Sequence, residues 1–368
     1  MTHLAYFISP HGFGHAARAA AVMSALHAQD PALQFEIFTH VPRWFFDDSL
    51  RGNFTFHPTL TDIGLAQESA LAENIPQTLR RLKTFFPFDH ARVVPLAQRV
   101  TRLKCRLVMC DIAPLGIAVA RAPNIPSILI ENFTWDWIYE GYARDDARFL
   151  TYIGYLRDLF KSADYHIQTE PVCKYRAADL VTRPVSREPR MPAGQIRQQL
   201  GISTRARVVL ITMGGIPQQH AFLDRLTQIK GVHFVIPGNS HHGEKRGNLI
   251  LLPHRSHFYH PDLVNACDAV IGKTGYSTVV EAYRAGIPFG YISRAKFREA
   301  ATMATFIQDA MGGFEISAAD FEGGRWVARL PDLLALPRYE RREPNGADQI
   351  ADFILSMLAH SGNDGSTR

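Results

Sequence analysis

The stretch from Asp268 to Pro288, DAVIGKTGYSTVVEAYRAGIP, sets a short apolar run, a turn punctuated by two glycines and a mostly apolar helix in immediate succession. Asp268 to Ile271 reads as the end of a strand, and Gly272 and Gly275 allow a tight turn with no Cβ to accommodate. Ser277 is the predicted N-cap. Val279, Val280, Ala282, Tyr283 and Ala285 supply an apolar face, and Gly286 ends the helix before a further strand at Phe289 to Ile292. The first N–H groups of such a helix have no intrahelical partner, and its dipole favours an anion at that end. With Lys273, Ser277 and Thr278 beside those amides, a phosphate or diphosphate is the natural guest. Gly272-Lys273-Thr274 is not the end of a Walker A loop, because Cys267 stands where that motif needs its first glycine. An ordinary strand-to-helix turn is the plain alternative.

The same alternation runs through the chain. Strands are predicted at Leu4 to Ser9, Phe35 to Thr39, Phe54 to His57, Leu107 to Cys110, Ser127 to Glu131 and Tyr165 to Gln168. Helices fall between them: Ala16 to Ala28, a long region from Glu73 to Lys104 interrupted at Pro87 and Pro95, and a stretch between Asp136 and Ser162. A Pro- and Arg-dense segment then leads to a second series. Its strands lie at Val208 to Thr212, His233 to Ile236, Leu249 to Leu252, Ala269 to Ile271 and Phe289 to Ile292, with a helix at Gln219 to Ile229. Strands alternating with helices call for parallel, doubly wound sheets, here in two α/β domains. The expected division is 1–185, a linker at 186–206, a second domain at 207–345 and a final helix within 346–360.

Composition excludes several classes. The 368 residues are 46% hydrophobic and 20% charged, enough for two filled cores. Forty Lys and Arg against 35 Asp and Glu give a net charge of +5 without any basic block. That suits an anionic substrate or at most a peripheral membrane contact, and does not call for nucleic acid. The opening residues lack the basic region and long apolar run of a signal peptide. The longest apolar run, Ile112 to Ala120, is too short for a bilayer. Cys105, Cys110, Cys173 and Cys267 show no paired spacing, so reduced thiols in a cytoplasmic protein are expected.

Gly12-x-Gly14-x-x-Ala17 satisfies the dinucleotide fingerprint, but the second strand ends in Thr39-His40, and Glu36 lies mid-strand, away from any crevice. A nicotinamide or flavin enzyme is therefore disfavoured. His254, His257 and His260 are bracketed by Pro253 and Pro261, which argues against a shared helical metal face; no metal site is expected. Trp135 and Trp137 follow a strand within Asn132-Phe-Thr-Trp-Asp-Trp and are either core or an acceptor-side wall on which a sugar stacks. No D-x-D occurs, which speaks against a metal-chelated diphosphate.

Glu281 lies one helical turn beyond Ser277 and Thr278, where a carboxylate can accept both hydroxyls of a ribose whose phosphates sit on the helix N-terminus. At this point the chain resembles the nucleotide-sugar-binding half of GT-B glycosyltransferases. It is especially similar to the bacterial cell-wall N-acetylglucosaminyltransferase family and to the glycosyltransferase-like portion of plant arabinokinases. The residues carrying the resemblance are Gly272-Lys273-x-Gly275-Tyr276-Ser277-Thr278-x-x-Glu281-Ala282, Gly286-Ile287-Pro288 and Phe297-Arg298-Glu299. Gly14-His15 similarly matches the Gly-His element of the first domain.

The resemblance implies two Rossmann-like domains facing across a cleft, with the final helix packed back on the first. It places the donor diphosphate on Gly214, Gly215, Lys273, Gly275, Ser277 and Thr278, the ribose on Glu281, and the donor sugar near Arg298 and Glu299. His15 is the expected general base of an inverting, metal-independent transfer, since its ordinary pKa lies near neutrality. Asp111, ending another strand at the same edge, would orient the imidazole. His11, Gly14 and Trp135 belong to the acceptor side, and His11 is the substitute base. No cofactor is expected. The donor is a nucleotide sugar, most naturally a UDP-sugar, and the acceptor a small molecule, a lipid-linked group or a glycan. Two other readings stay open: a nucleotide-sugar hydrolase, and a sensor that binds without turnover.

Overall fold

The structure, a computed structural model, describes residues 1–69, 71–214, 220–294 and 296–363. They form two units, each built on a seven-stranded sheet.

The first unit comprises Met1–Ala66, Glu73–Ser186 and Pro344–Arg368. Its strands are β1 (Thr2–Ile8), β2 (Leu33–Thr39), β3 (Phe54–Pro58), β4 (Cys105–Asp111), β5 (Ser127–Glu131), β6 (Tyr165–Thr169) and β7 (Leu180–Thr182). They pair in the order β3-β2-β1-β4-β5-β6-β7, every pair parallel. Leu4 to Ile8 and Leu107 to Cys110 are buried without interruption because helices cover both faces of the sheet, as a parallel sheet requires. One cover is the alanine-rich helix Gly14–Gln29. Its small side chains let it lie close to the sheet and to the last helix, Gly346–Asn363. Ile350, Ala351 and Ile354 of that last helix are fully buried in the same core. Burying each isoleucine stabilises the unit by about 1.5–3 kcal/mol. Asn345 clasps the two passages of chain, accepting the Ser186 N–H at 3.1 Å and donating to the Ser186 carbonyl at 2.6 Å.

The second unit comprises Gln67–Ala72 and Arg187–Glu343. Residues 187–206 thus belong to it, and the short excursion from the first half was not foreseen. Its strands are β8 (Arg207–Thr212), β9 (Val232–Ser240), β10 (Glu244–Arg246), β11 (Leu249–Pro253), β12 (Ala269–Lys273), β13 (Phe289–Ile292) and β14 (Gly313–Glu315). The order is β10-β11-β9-β8-β12-β13-β14, parallel except for the β10–β11 hairpin. Of the helix expected at Gln219 to Ile229, only the turn Leu223–Leu226 is helical among the described residues.

Among the parallel strands of each sheet the order reverses once, between β1 and β4 and between β8 and β12. Connections leave in opposite directions at such a point, so a crevice opens at the carboxyl ends of the two strands, which is where ligands bind in open α/β sheets.

Candidate functional site

At the carboxyl end of β1 the chain turns through Gly12, whose φ of +74° is a left-handed conformation that only glycine adopts without strain. The helix begins at Gly14, which sets His15 in its first turn. Asp111 is the last residue of β4, so the β1–β4 pairing brings two residues 96 positions apart into contact. His15 Nδ1 lies 3.0 Å from Asp111 Oδ1. A carboxylate only accepts, so Nδ1 carries the proton and Nε2 presents its lone pair. This is the arrangement of an oriented general base.

The residue that completes it was not foreseen. Arg18, one helical turn after His15, is only 1% exposed. Its Nε donates to Asp111 Oδ2 at 2.8 Å and its Nη2 to Oδ1 at 2.7 Å, a two-pronged pair. Its Nη1 donates to Asn132 Oδ1 at 2.6 Å and Thr169 Oγ1 at 3.3 Å, residues at the ends of β5 and β6. Burial pushes the Asp111 carboxyl up, but the Arg18 charge and the His15 and Arg18 hydrogen bonds outweigh it and hold Asp111 below the usual carboxylate range. The signal in the sequence was an arginine three residues after His15 in an otherwise apolar helix, a spacing that puts both on one face.

His11 is half-buried, with its ring edge-on to Trp135 at 5.1 Å, and the Leu65 N–H donates to its Nδ1 at 3.4 Å. Trp135 corrects the acceptor-wall expectation. It is 1% exposed, so the indole has no face on which a sugar can stack; it backs His11 and His15 from inside. Its N–H donates at 3.2 Å to Asp62, a second buried carboxyl with no local mark in the sequence. Glu36 lies as expected in the middle of its strand, with its two oxygens on His3 (2.9 Å) and His57 (2.8 Å).

The second unit repeats the pattern at its own reversal. Gly214 follows β8 with φ +67°, and a Cβ there would meet Lys273 Cε at 2.6 Å. The lysine at the end of β12 therefore lies over the glycine backbone, and the two residues expected to hold a diphosphate are adjacent. Gly215 lies outside the described residues. The helix starts at Tyr276, two residues earlier than expected, with Gly275 as its N-cap and no side-chain cap. Ser277 is therefore not the cap; Ser277 and Thr278 are the second and third helical residues, whose own N–H groups are among those left unpaired by the helix. Gly286 ends the helix in the left-handed conformation, φ +68°. Arg298 and Glu299 open the helix after β13, at the same edge of the sheet.

Glu281 is 3% exposed and held from two sides. Its Oε1 accepts Arg187 Nε at 2.9 Å and Nη2 at 2.8 Å, and its Oε2 faces His260 Nδ1 at 2.7 Å. Burial raises its pKa, but the Arg187 and His260 charges and bonds carry it below the ordinary value. With both Oε1 lone pairs used and one on Oε2, a single acceptor position is left. The carboxylate cannot take both hydroxyls of a ribose. Arg187 and His260 were missed for one reason: their partner is distant in sequence. Among the described residues no group of three His, Cys, Asp or Glu converges as a metal site, and no helix is long and apolar enough to cross a membrane.

Two Rossmann-like units, each with its polar residues at the strand-order reversal, make the fold that of GT-B glycosyltransferases. Solved structures of that class agree. The chain superposes on the MurG of Acinetobacter baumannii with a TM-score of 0.56 at 16% identity, covering 97% of this chain and 100% of that one. On a UDP-glucosyltransferase from Polygonum tinctorium the TM-score is 0.61 at 11% identity, covering 98% and 94%. Among curated proteins it is 27% identical over 367 residues to L-arabinokinase of Arabidopsis thaliana. That match takes in 96% of this chain but 34% of the relative, so the chain spans about a third of that protein. No protein-family model matches the chain.

Proposed function

We propose that the protein is a glycosyltransferase that moves a sugar from a nucleotide sugar, most naturally a UDP-sugar, to a hydroxyl acceptor in the cytoplasm. The acceptor is a small molecule, a lipid-linked group or a glycan. The observation that carries the reading is the His15–Asp111 pair, 3.0 Å apart and locked by Arg18 at the strand-order reversal of the first unit. His15 Nε2 takes the acceptor hydroxyl proton as the oxygen bonds to the anomeric carbon. The bond from that carbon to the diphosphate breaks with its electron pair on the diphosphate, inverting the centre. In the second unit the Lys273 ammonium, the Gly214 backbone and the amides of Ser277 and Thr278 receive the diphosphate charge without a metal ion or cofactor, with Gly275 shaping the turn because its own N–H already donates to the Lys273 carbonyl at 2.8 Å. Glu281 accepts one ribose hydroxyl with its remaining Oε2 position, and Arg298 and Glu299 attend the donor sugar. The four cysteines form no disulfide, which supports the cytoplasmic assignment.

The test is nucleotide release from UDP- and dTDP-sugars with and without candidate acceptors, in the presence and absence of chelator. A transferase releases nucleotide slowly alone and faster with its acceptor. His15→Ala should lower that rate by ~10²–10⁴ while donor affinity stays within a few fold. Full-rate release in water makes the protein a hydrolase; binding without release in any condition makes it a sensor. Loss of nucleotide binding on chelation, restored by magnesium or manganese, overturns the account of the diphosphate site.

A further inference from the structure

Asp62 takes no part in the mechanism above. It lies in the loop after β3, which is tied down at three points. Thr61 Oγ1 donates to the Ile8 carbonyl at 2.7 Å, Tyr139 Oη to the Gly64 carbonyl at 2.7 Å, and the Leu65 N–H to His11 Nδ1. The Asp62 side chain points inward and is 1% exposed. Its Oδ2 accepts the Trp135 indole N–H, while Oδ1, fully buried, has no hydrogen-bond partner among the described residues. The groups acting on it come from every side of its seat: the Ser9 hydroxyl at the end of β1, Trp135 from the helix Trp135–Glu140, and Asp111 from β4. None of these is a cation, and Arg18 spends its two prongs on Asp111. A buried carboxyl with an unsatisfied oxygen and an anionic neighbour has two comparably poor states, one charged and one protonated. Trp135 in turn touches both histidines of the site, His11 at 5.1 Å and His15 at 6.4 Å between ring centres.

We propose that Asp62 is a proton-carrying positioning residue of the His15 site: it takes up and releases a proton while holding Trp135, and its charge sets how tightly His15 holds its own. Burial, with Asp111 adding to it against the Ser9 and Trp135 bonds, carries the Asp62 pKa up to about 7. Above that pH the ionised carboxylate adds negative charge beside the Asp111–His15 pair and strengthens the imidazole's grip on a proton. Below it Asp62 is neutral and the influence vanishes. The kinetic consequence rests on His15 being the working base; the proton uptake and its effect on Trp135 do not.

The experiment therefore has an optical and a kinetic arm, both on the full chain. Tryptophan emission is followed from acid to alkaline pH in the wild type, Asp62→Asn, Trp135→Phe and His15→Gln. A step centred near pH 7 is expected in the wild type and in His15→Gln, and its loss in Trp135→Phe and in Asp62→Asn. Infrared difference spectra of the wild type should show a buried, protonated carboxyl band that disappears over the same pH range, a result that needs no folded variant. Persistence of the optical step in Asp62→Asn, or absence of the carboxyl band, overturns the proposal. In the kinetic arm the acid limb of the kcat/KM profile should move to lower pH in Asp62→Asn, by roughly one unit or less. Absence of turnover with the optical arm intact is a failure of the transferase reading, and an unmoved limb with the optical step lost overturns the coupling to His15.

Discussion

Replacing Arg18 by methionine isolates what holds the His15 site together. Methionine keeps most of the side-chain length within the helix Gly14–Gln29 and removes only the guanidinium. What remains is Asp111, fully buried, with the His15 Nδ1–H as its remaining partner of the two, and Asn132 without its 2.6 Å donor. Breaking a buried ion pair by deleting one member costs about 3–5 kcal/mol, because the surviving charge keeps its desolvation penalty. That is a large fraction of the 5–15 kcal/mol that usually holds a domain folded.

The pH dependence of that cost has a definite sign. In the wild type, the Asp111 pKa is lowered, so its contribution is present above the unfolded carboxylate value of about 3.9 and is lost as pH falls through the folded value. Without Arg18 the burial effect dominates, the pKa rises, and the variant loses stability as pH climbs. The gap between the two proteins is thus widest at neutral pH and narrows on acidification. Urea unfolding at pH 7 and pH 4 measures it, with Asp111→Asn and the double variant completing a cycle. The double variant should lose at least about 2 kcal/mol less than the sum of the singles. A loss below about 1 kcal/mol for Arg18→Met at pH 7, or strict additivity, would refute the view that this pair organises the site.

Four further substitutions have defined outcomes. Glu281→Gln should lower the stability of the second unit as well as nucleotide-sugar affinity, by about 3–5 kcal/mol for the stranded Arg187 and about tenfold for the lost charged acceptor; thermal unfolding and calorimetric titration separate the two. Asp62 has a raised folded pKa, so its favourable contribution is complete below the unfolded value and is lost as pH rises to about 7, a change of about 4 kcal/mol. Asp62→Asn should flatten that part of the stability profile between pH 4 and 8, seen by urea unfolding. Gly286→Ala should destabilise by more than about 1 kcal/mol, since its φ is +68° and a Cβ would run into the Tyr339 carbonyl, whereas Gly154→Ala should stabilise by about 0.5–1 kcal/mol, as a helical glycine with open space around it; thermal unfolding reads both.

Much of this protein was legible in the chain because its signals are local. Strand and helix alternation, the left-handed stop at Gly286 and the position of His15 just after the first strand all depend on residues within one turn of one another. The resemblance carried by Gly272 to Ala282 and by Gly14-His15 then pointed to the GT-B fold. Local signals also mislead locally. Ser277 looks like a cap, but the φ and ψ of Gly275 start the helix earlier. Trp135 looks like a stacking surface, but its burial depends on Asp62 and His11 arriving from other loops.

The tertiary structure decided which strands lie side by side, and with that every charged partnership of the site. The pairing of β1 with β4 brings Asp111 to His15 and Arg18, and the crossing into the second unit at Arg187 gives Glu281 its counter-charge. In the sequence Arg187 and Asp62 are indistinguishable from solvated surface charges, and Arg18 is marked only by its place on the His15 face of an apolar helix. Only burial, which belongs to the packed sheet and not to any neighbouring residue, gives each of them a partner it cannot do without or, in Asp62, an oxygen left without one.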